Sequence, residues 1–158
     1  MDKIYSCNLD FIPTIISKSS LLIIIGSEKT TIKGNNISYN KLTGVLVGDG
    51  NLNTTIMDNN ITYNKATGIN MSSGDYVYVL SNMIAFNQNP STSSGSGVYV
   101  NSNITKIEIK GNYIRQNGQY GVLNDYRARN MDASKGAEKL ETIENNRRTI
   151  TYNFVLLY

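Results

Sequence analysis

TIMDNNITYN, residues Thr55 to Asn64, nearly repeats TIKGNNISYN, residues Thr31 to Asn40, at a distance of 24 positions. The pair extends into a column pattern when Asn40, Asn64, Asn87 and Asn117 are taken as anchors, spaced 24, 23 and 30 residues apart. Ile stands three residues before each anchor (Ile37, Ile61, Ile84, Ile114), and Asn stands five before (Asn35, Asn59, Asn82, Asn112). Eight before stands a β-branched apolar residue: Ile32, Ile56, Val79, Ile109. Gly follows four residues after three anchors (Gly44, Gly68, Gly121). In the remaining unit Gly97 comes six residues late, which places a six-residue insertion in NPSTSS. Four columns agreeing at one period define an internal repeat.

Within each unit apolar residues alternate with polar ones. The pairs Val45/Val47, Ile69/Met71 and Val98/Val100 follow the Gly, and Thr30/Ile32, Thr54/Ile56, Val77/Val79 and Ile107/Ile109 precede the Asn. Period two marks strands with one buried face. Gly50, Gly74 and Asn103 share a column expected to be a turn, because Gly and Asn tolerate positive φ. A unit of about three short strands cannot close a core alone. Parallel stacking about 4.8 Å apart joins successive units and buries one aliphatic stack. The expected fold is therefore all-β: a single-stranded parallel β-helix of about 4–6 turns, right-handed by crossover sterics. The two Asn columns are expected to form hydrogen-bonded ladders, Asn35, Asn59, Asn82 and Asn112 at a tight bend, and Asn40, Asn64, Asn87 and Asn117 beside it.

The pattern I-x-x-N-x-I-x-x-N followed by Gly and an apolar pair resembles the repeat of right-handed parallel β-helix proteins. These include the pectate-lyase-like superfamily, NosD-type repeat proteins and archaeal adhesin-like surface proteins. The resemblance covers Thr30 to Asn124. It implies architecture and an extracellular or cell-surface location, and it does not select among lyases, epimerases, adhesins and scaffolds.

The repeats occupy residues 30–124, with 1–29 expected as an N-terminal cap or degenerate first turn and 125–158 as a flanking helix and a degenerate last turn or cap. The helix is expected over MDASKGAEKLETIE, Met131 to Glu144, and TITYN, Thr149 to Asn153, repeats the right half of the motif. Uncapped solenoid ends carry open strand edges, so end-to-end association is a further expectation. Residues 1–29 make a poor signal peptide: Asp10, Pro13 and Lys18 interrupt the apolar stretch.

Composition narrows the function classes. The net charge of +3 comes from mixed charges without a basic stripe, so no nucleic-acid footprint is present. The longest apolar run, Leu21 to Ile25, is too short for a membrane span. The chain has no His and one Cys, Cys7, so metal or acid–base chemistry would rest on carboxylates. Asp49, Asp58 and Asp75 are the candidates. Asp49 and Asp75 fall at nearby columns of neighbouring units, but beside Gly50, Ser73 and Gly74 they read as solvated turn acids. Glycosidase logic needs two carboxylates flanking a groove, and no column stacks two acids. Arg115 and Lys110 are the bases a lyase would draw on. No catalytic residue, metal ligand or cofactor is assigned.

Aromatic residues carry more. Tyr39, Tyr63 and Phe86 share the column before the anchor and read as a packing stack. Tyr76, Tyr78 and Tyr99 fall at outward phases, where flat rings stack on sugars and phenols donate hydrogen bonds. The insertion beside Tyr99 could wall such a face. Sequons begin at Asn36, Asn53, Asn60, Asn70 and Asn103 and add little, since Asn-rich sequence produces them by chance. The expected function is a non-enzymatic β-helix module of an adhesin-like or carbohydrate-binding surface protein, with a polysaccharide or cell-surface glycan as partner. The alternative is a fragment or relative of a polysaccharide lyase or epimerase.

Overall fold

The computed structural model describes residues 3–4, 8–10, 15–16, 22–104, 106–124 and 143–144. They form sixteen strands: β1 (Lys3–Ile4), β2 (Asn8–Asp10), β3 (Ile15–Ile16), β4 (Leu22–Ile24), β5 (Thr30–Lys33), β6 (Asn36–Ser38), β7 (Val45–Val47), β8 (Leu52–Met57), β9 (Asn60–Thr62), β10 (Ile69–Leu80), β11 (Met83–Ala85), β12 (Ser96–Ile104), β13 (Ile107–Lys110), β14 (Tyr113–Arg115), β15 (Tyr120–Asn124) and β16 (Ile143–Glu144). Every ladder is parallel, and each pairs a strand with its counterpart one turn of chain away. Three faces result. One runs β1, β4, β7, the first half of β10, β12 and β15; the second runs β2, β5, β8, the second half of β10 and β13. The third is the six-stranded sheet β3, β6, β9, β11, β14, β16. The molecule is a parallel β-helix.

Alternation explains why these residues stack. Ile37 pairs with Ile61, Ile61 with Ile84, and Ile84 with Ile114, and all four are buried. Val45, Ile69 and Val98 form a second internal column, and Ile32, Ile56 and Val79 a third. Each such side chain contributes roughly 1.5–3 kcal/mol over exposure. One interior column carries a polar residue at fault. Thr30, Thr54, Val77 and Ile107 are successive register partners, and the Thr54 hydroxyl is buried with no hydrogen-bond partner. Thr30 escapes that cost by donating to Ser27 Oγ at 2.5 Å. Thr54→Val is therefore expected to raise stability by about 1 kcal/mol, because it removes an unsatisfied group and copies the next coil. A urea midpoint no higher than wild type would contradict the burial of that hydroxyl.

Both Asn columns are hydrogen-bonded ladders. Asn59 Oδ1 accepts from the backbone N–H of Asn35 at 2.9 Å and from Asn35 Nδ2 at 3.3 Å. Asn59 Nδ2 donates back to Ile32 O at 2.8 Å and onward to Asn82 Oδ1 at 3.0 Å. Asn82 repeats this with Ile56 O and Asn112 Oδ1. The second ladder runs Asn40, Asn64, Asn87, Asn117 with Nδ2–Oδ1 distances of 2.8, 2.8 and 3.0 Å. Each inner rung thus stands at a bend of its own coil and bonds to the coils before and after it. Asn59→Ala strands the Asn35 N–H and removes donors from Ile32 O and Asn82 Oδ1. A loss of about 2–4 kcal/mol in urea denaturation is expected, since each orphaned buried group costs roughly 1–3 kcal/mol. Asn53, outside both ladders, would seem a neutral control for Ala. It is not, because Asn53 holds φ at 53°, where Ala is strained and Asn is tolerated. Gln88→Ala, in a loop, is the better control.

The structure departs from the sequence reading in three places. Gly50 sits in a turn with φ of 73°, but Gly74 lies inside β10 with φ of 145°, and its register partner is Ile104, not Asn103. Leu52 pairs with Asp75 while Val47 pairs with Met71. The bend after β7 therefore uses one residue more than the matching bend of β10, and the column slips there. Consequently this coil has two strands, not three, since β10 runs unbroken for 12 residues. Thirdly, the helix expected over Met131 to Glu144 is not found at its end: Ile143 and Glu144 are strand β16, paired with Ile114 and Arg115. The rest of that segment, and the repeat expected over Thr149 to Asn153, lie outside the described residues.

The insertion is the loop Asn89 to Ser94. Its neck is closed by Asn89 N–H donating to Ser94 O and Ser93 N–H donating to Asn89 O, both at 2.7 Å. Asn89 Oδ1 accepts from Ser91 N–H at 2.9 Å, which shapes the turn after Pro90.

Candidate functional site

Tyr76 and Tyr78 lie two residues apart on the second half of β10. The Tyr76 ring is 45% exposed and the backbone there has φ of 56°. Lys106 Nζ lies 5.6 Å from the ring centroid, a cation–π contact at the ring face. Tyr78 is half-buried between its register partners Thr55 and Glu108. Tyr76, Tyr78, Lys106, Glu108 and Thr55 thus occupy neighbouring positions over three coils. Tyr99 is not among them. Its register partners are Asn70 and Leu123, with Leu46 beyond Asn70, on the first face of the solenoid. The chain bends between, where Gly74 and Tyr76 both take positive φ. Outward phase placed all three Tyr residues on the surface, but it could not tell which side of the bend each occupies. Lys106 and Glu108 were not singled out in the sequence, since neither belongs to a repeated column.

Asp49, Asp58, Asp75, Lys110 and Arg115, the acids and bases of the sequence reading, stand at separate positions along the coils. Asp49 Oδ1 accepts from Ser73 Oγ on the next coil, so Asp49 stands beside Ser73, while Asp75 stands beside Leu52. Asp58 occupies the bend between β8 and β9 with φ of 55°. Among the described residues no three His, Cys, Asp or Glu side chains gather in a way that would hold a metal ion. Lys110 ends β13 on the second face, and Arg115 ends β14 on the third. The Arg115 guanidinium lies over Phe86 at 5.4 Å and over Tyr113 at 5.1 Å.

The column before the anchors is an aromatic stack. Tyr39 and Tyr63 are 5.1 Å apart and Tyr63 and Phe86 4.7 Å apart, each pair within 3° of parallel. Those spacings are the coil spacing itself. All three residues hold φ between 57° and 60°. That conformation costs roughly 1–2 kcal/mol for a bulky residue, and each ring pair returns about 0.5–1.5 kcal/mol. Three strained residues against two ring pairs leave the stacking, about 1–3 kcal/mol, short of the strain, about 3–6 kcal/mol. Tyr39 and Tyr63 are exposed, but both faces of Tyr63 and one face of Tyr39 are spent within the stack, and Arg115 lies over Phe86. Ring edge and hydroxyl are what Tyr63 offers to solvent, so the middle of the column is a poor seat for a sugar ring.

A polar contact that the repeat columns hid lies at Asn51. Its Nδ2 donates to Ile24 O and to Gly48 O, both at 2.6 Å, and its Oδ1 accepts from Ser27 N–H at 3.0 Å. It acts as a ladder rung, but the residue at the same spacing after the next anchor is Asp75, so no repeated Asn announces it.

Three parallel faces, closed coil on coil with Asn ladders at the bends, define a β-solenoid. The chain belongs to the right-handed β-helix family: the family model described as a right-handed beta helix region matches residues 3–135. No curated protein and no solved structure matches the chain. No helix among the described residues is long and apolar enough to cross a membrane.

Proposed function

We propose that this β-helix is a non-enzymatic binding and presentation module of an adhesin-like, cell-surface or secreted protein, and that it contacts an extended glycan through the Tyr76–Tyr78 face. The observation that carries the reading is the half-exposed Tyr76 ring set beside Tyr78, Lys106 and Glu108. A pyranose stacks its C–H face on such a ring while its hydroxyls find the ammonium and the carboxylate. The site is shallow, so affinity is expected to be weak, without turnover and independent of added calcium. The parallel coils fix the spacing of these groups and give the face the rigidity that a repeating ligand requires.

A glycan array followed by calorimetric titration tests this. Wild type and Tyr99→Ala should bind alike, and Tyr76→Ala with Tyr78→Ala should lose binding by at least about tenfold, the loss of two stacking contacts. Absence of binding by wild type, or equal binding by the double variant, removes the glycan reading. Release of unsaturated sugars from a polyuronate would overturn the non-enzymatic one.

A further inference from the structure

Of the 22 Asn residues in the chain, only Asn117 is followed by Gly. Asn–Gly is chemically the most labile Asn pair, because glycine puts no side chain in the way of ring closure. We propose that Asn117–Gly118 is a modification site: a deamidation site held shut by the coil structure and opened when residues 117–124 part from the coil before them. In the reaction the Gly118 nitrogen attacks Asn117 Cγ. A new N–C bond forms, and Nδ2 leaves as ammonia, taking the proton that Gly118 N–H gives up. Water then opens the succinimide to Asp or to isoaspartate. No oxidant or reductant is needed.

In the folded coil the attacking N–H and both polar atoms of the side-chain amide are engaged elsewhere. Gly118 N–H donates to Asn87 O at 2.9 Å. Asn117 Nδ2 donates to Ile84 O at 3.0 Å, and Asn117 Oδ1 accepts from both the N–H and the Nδ2 of Asn87 at 3.0 Å. Asn117 is 3% exposed and Gly118 is buried, so the water of the second step is excluded. Attack therefore requires loss of the contacts between this coil and its neighbour, a local opening.

The fold also explains why a labile pair stands here. A Cβ on Gly118 would lie 2.6 Å from Ser93 O and 2.7 Å from Ser94 O. The inserted loop Asn89 to Ser94 folds over this point and admits only glycine. The insertion thus creates the liability, and the ladder suppresses it. Once formed, isoaspartate cannot return to the rung. It lengthens the main chain by one carbon, and either acid loses the donor to Ile84 O and brings a charge into a buried site. The change is a one-way opening that leaves the β12 edge, which β15 covers in the folded coil, unpaired.

The test follows deamidation of the full chain at mildly alkaline pH by peptide mapping, natively, in urea below the unfolding transition, and fully unfolded. In the unfolded chain Asn117 should react faster than any other Asn. In the native chain it should react at least roughly tenfold slower, and subdenaturing urea should speed it by shifting the local opening. Chain carrying isoaspartate at 117 should fail to recover the native circular dichroism of its last coils after dilution from urea. Equal native and unfolded rates, a different dominant Asn in the unfolded chain, a native rate insensitive to urea, or full recovery of the modified chain would each overturn the proposal.

Discussion

Ile61→Asp abolishes folding, while Lys65→Asp, four residues away, leaves the circular dichroism spectrum unchanged: that is the expected pair of results. Ile61 is fully buried between Ile37 and Ile84, its register partners on the coils before and after. The substitution removes roughly 1.5–3 kcal/mol of burial. It also sets a carboxylate among aliphatic side chains, where no cation or spare donor is at hand. Burying an unpaired charge costs several kcal/mol more, even after the group is driven to protonate. A domain of this size holds only about 5–15 kcal/mol in all. Position adds to the effect. A solenoid is held by nearest-neighbour contacts, so a fault in a middle coil uncouples the coils on both sides of it. Lys65 is exposed, and its contribution to the coil is its backbone N–H, which donates to Asn40 O at 2.9 Å whatever the side chain. A folded Ile61→Asp variant with wild-type spectrum would mean that the Ile column is not the core.

What the sequence disclosed follows from what stacking demands. Parallel coils set like on like, so a residue that fills the interior or bonds along the axis must recur at the coil period. Ile37, Ile61, Ile84 and Ile114 do so, as do both Asn ladders, and the family pattern is made of these columns. Where the bend changes length the column slips, and Gly74 was grouped with Gly50 although it sits in a strand. Asn51 bonds as a rung with Ser27 below it, and one unrepeated Asn leaves no column to notice. At the C-terminal end, helical composition outweighed a single motif half. Ile143 stands three residues before Asn146, as Ile114 stands three before Asn117, and β16 follows that register. Surface positions obey no such rule. Tyr76, Tyr78, Lys106 and Glu108 face water, nothing forces them to recur, and the bend that separates Tyr99 from them is a matter of φ at two residues. A binding face in a solenoid is therefore legible as outward residues but not as a constellation.

Gly68→Ala is expected to be nearly as damaging as the buried charge, although it adds a single methyl group. Gly68 does not take positive φ, so conformational freedom is not its role; close approach is. A Cβ here would lie 2.7 Å from Gly97 O, 2.9 Å from Asn87 Nδ2 and 2.9 Å from Ile84 Cγ2. The first of these is backbone of the next coil, the second is a ladder rung and the third belongs to the aliphatic stack. None is the free end of a flexible chain. Gly68 cannot retreat either, since its N–H donates to Ser96 O and its carbonyl accepts from Val45 N–H, both at 2.9 Å. Overpacking a tight site costs about 1–3 kcal/mol, and displacing the Asn87 amide adds roughly 1–3 kcal/mol for the buried groups it leaves. A loss of about 3–5 kcal/mol is expected by urea denaturation. Gly50→Asn provides the contrast. Gly50 does take positive φ, and a Cβ there meets Gly26 Cα at 3.3 Å and nothing nearer. Asn tolerates that conformation, so the cost should stay near 1 kcal/mol. If Gly68→Ala unfolds at the same urea concentration as Gly50→Asn, the coils do not approach closely enough at this column to require glycine, and the Gly recurring four residues after Asn40, Asn64 and Asn117 would need another cause.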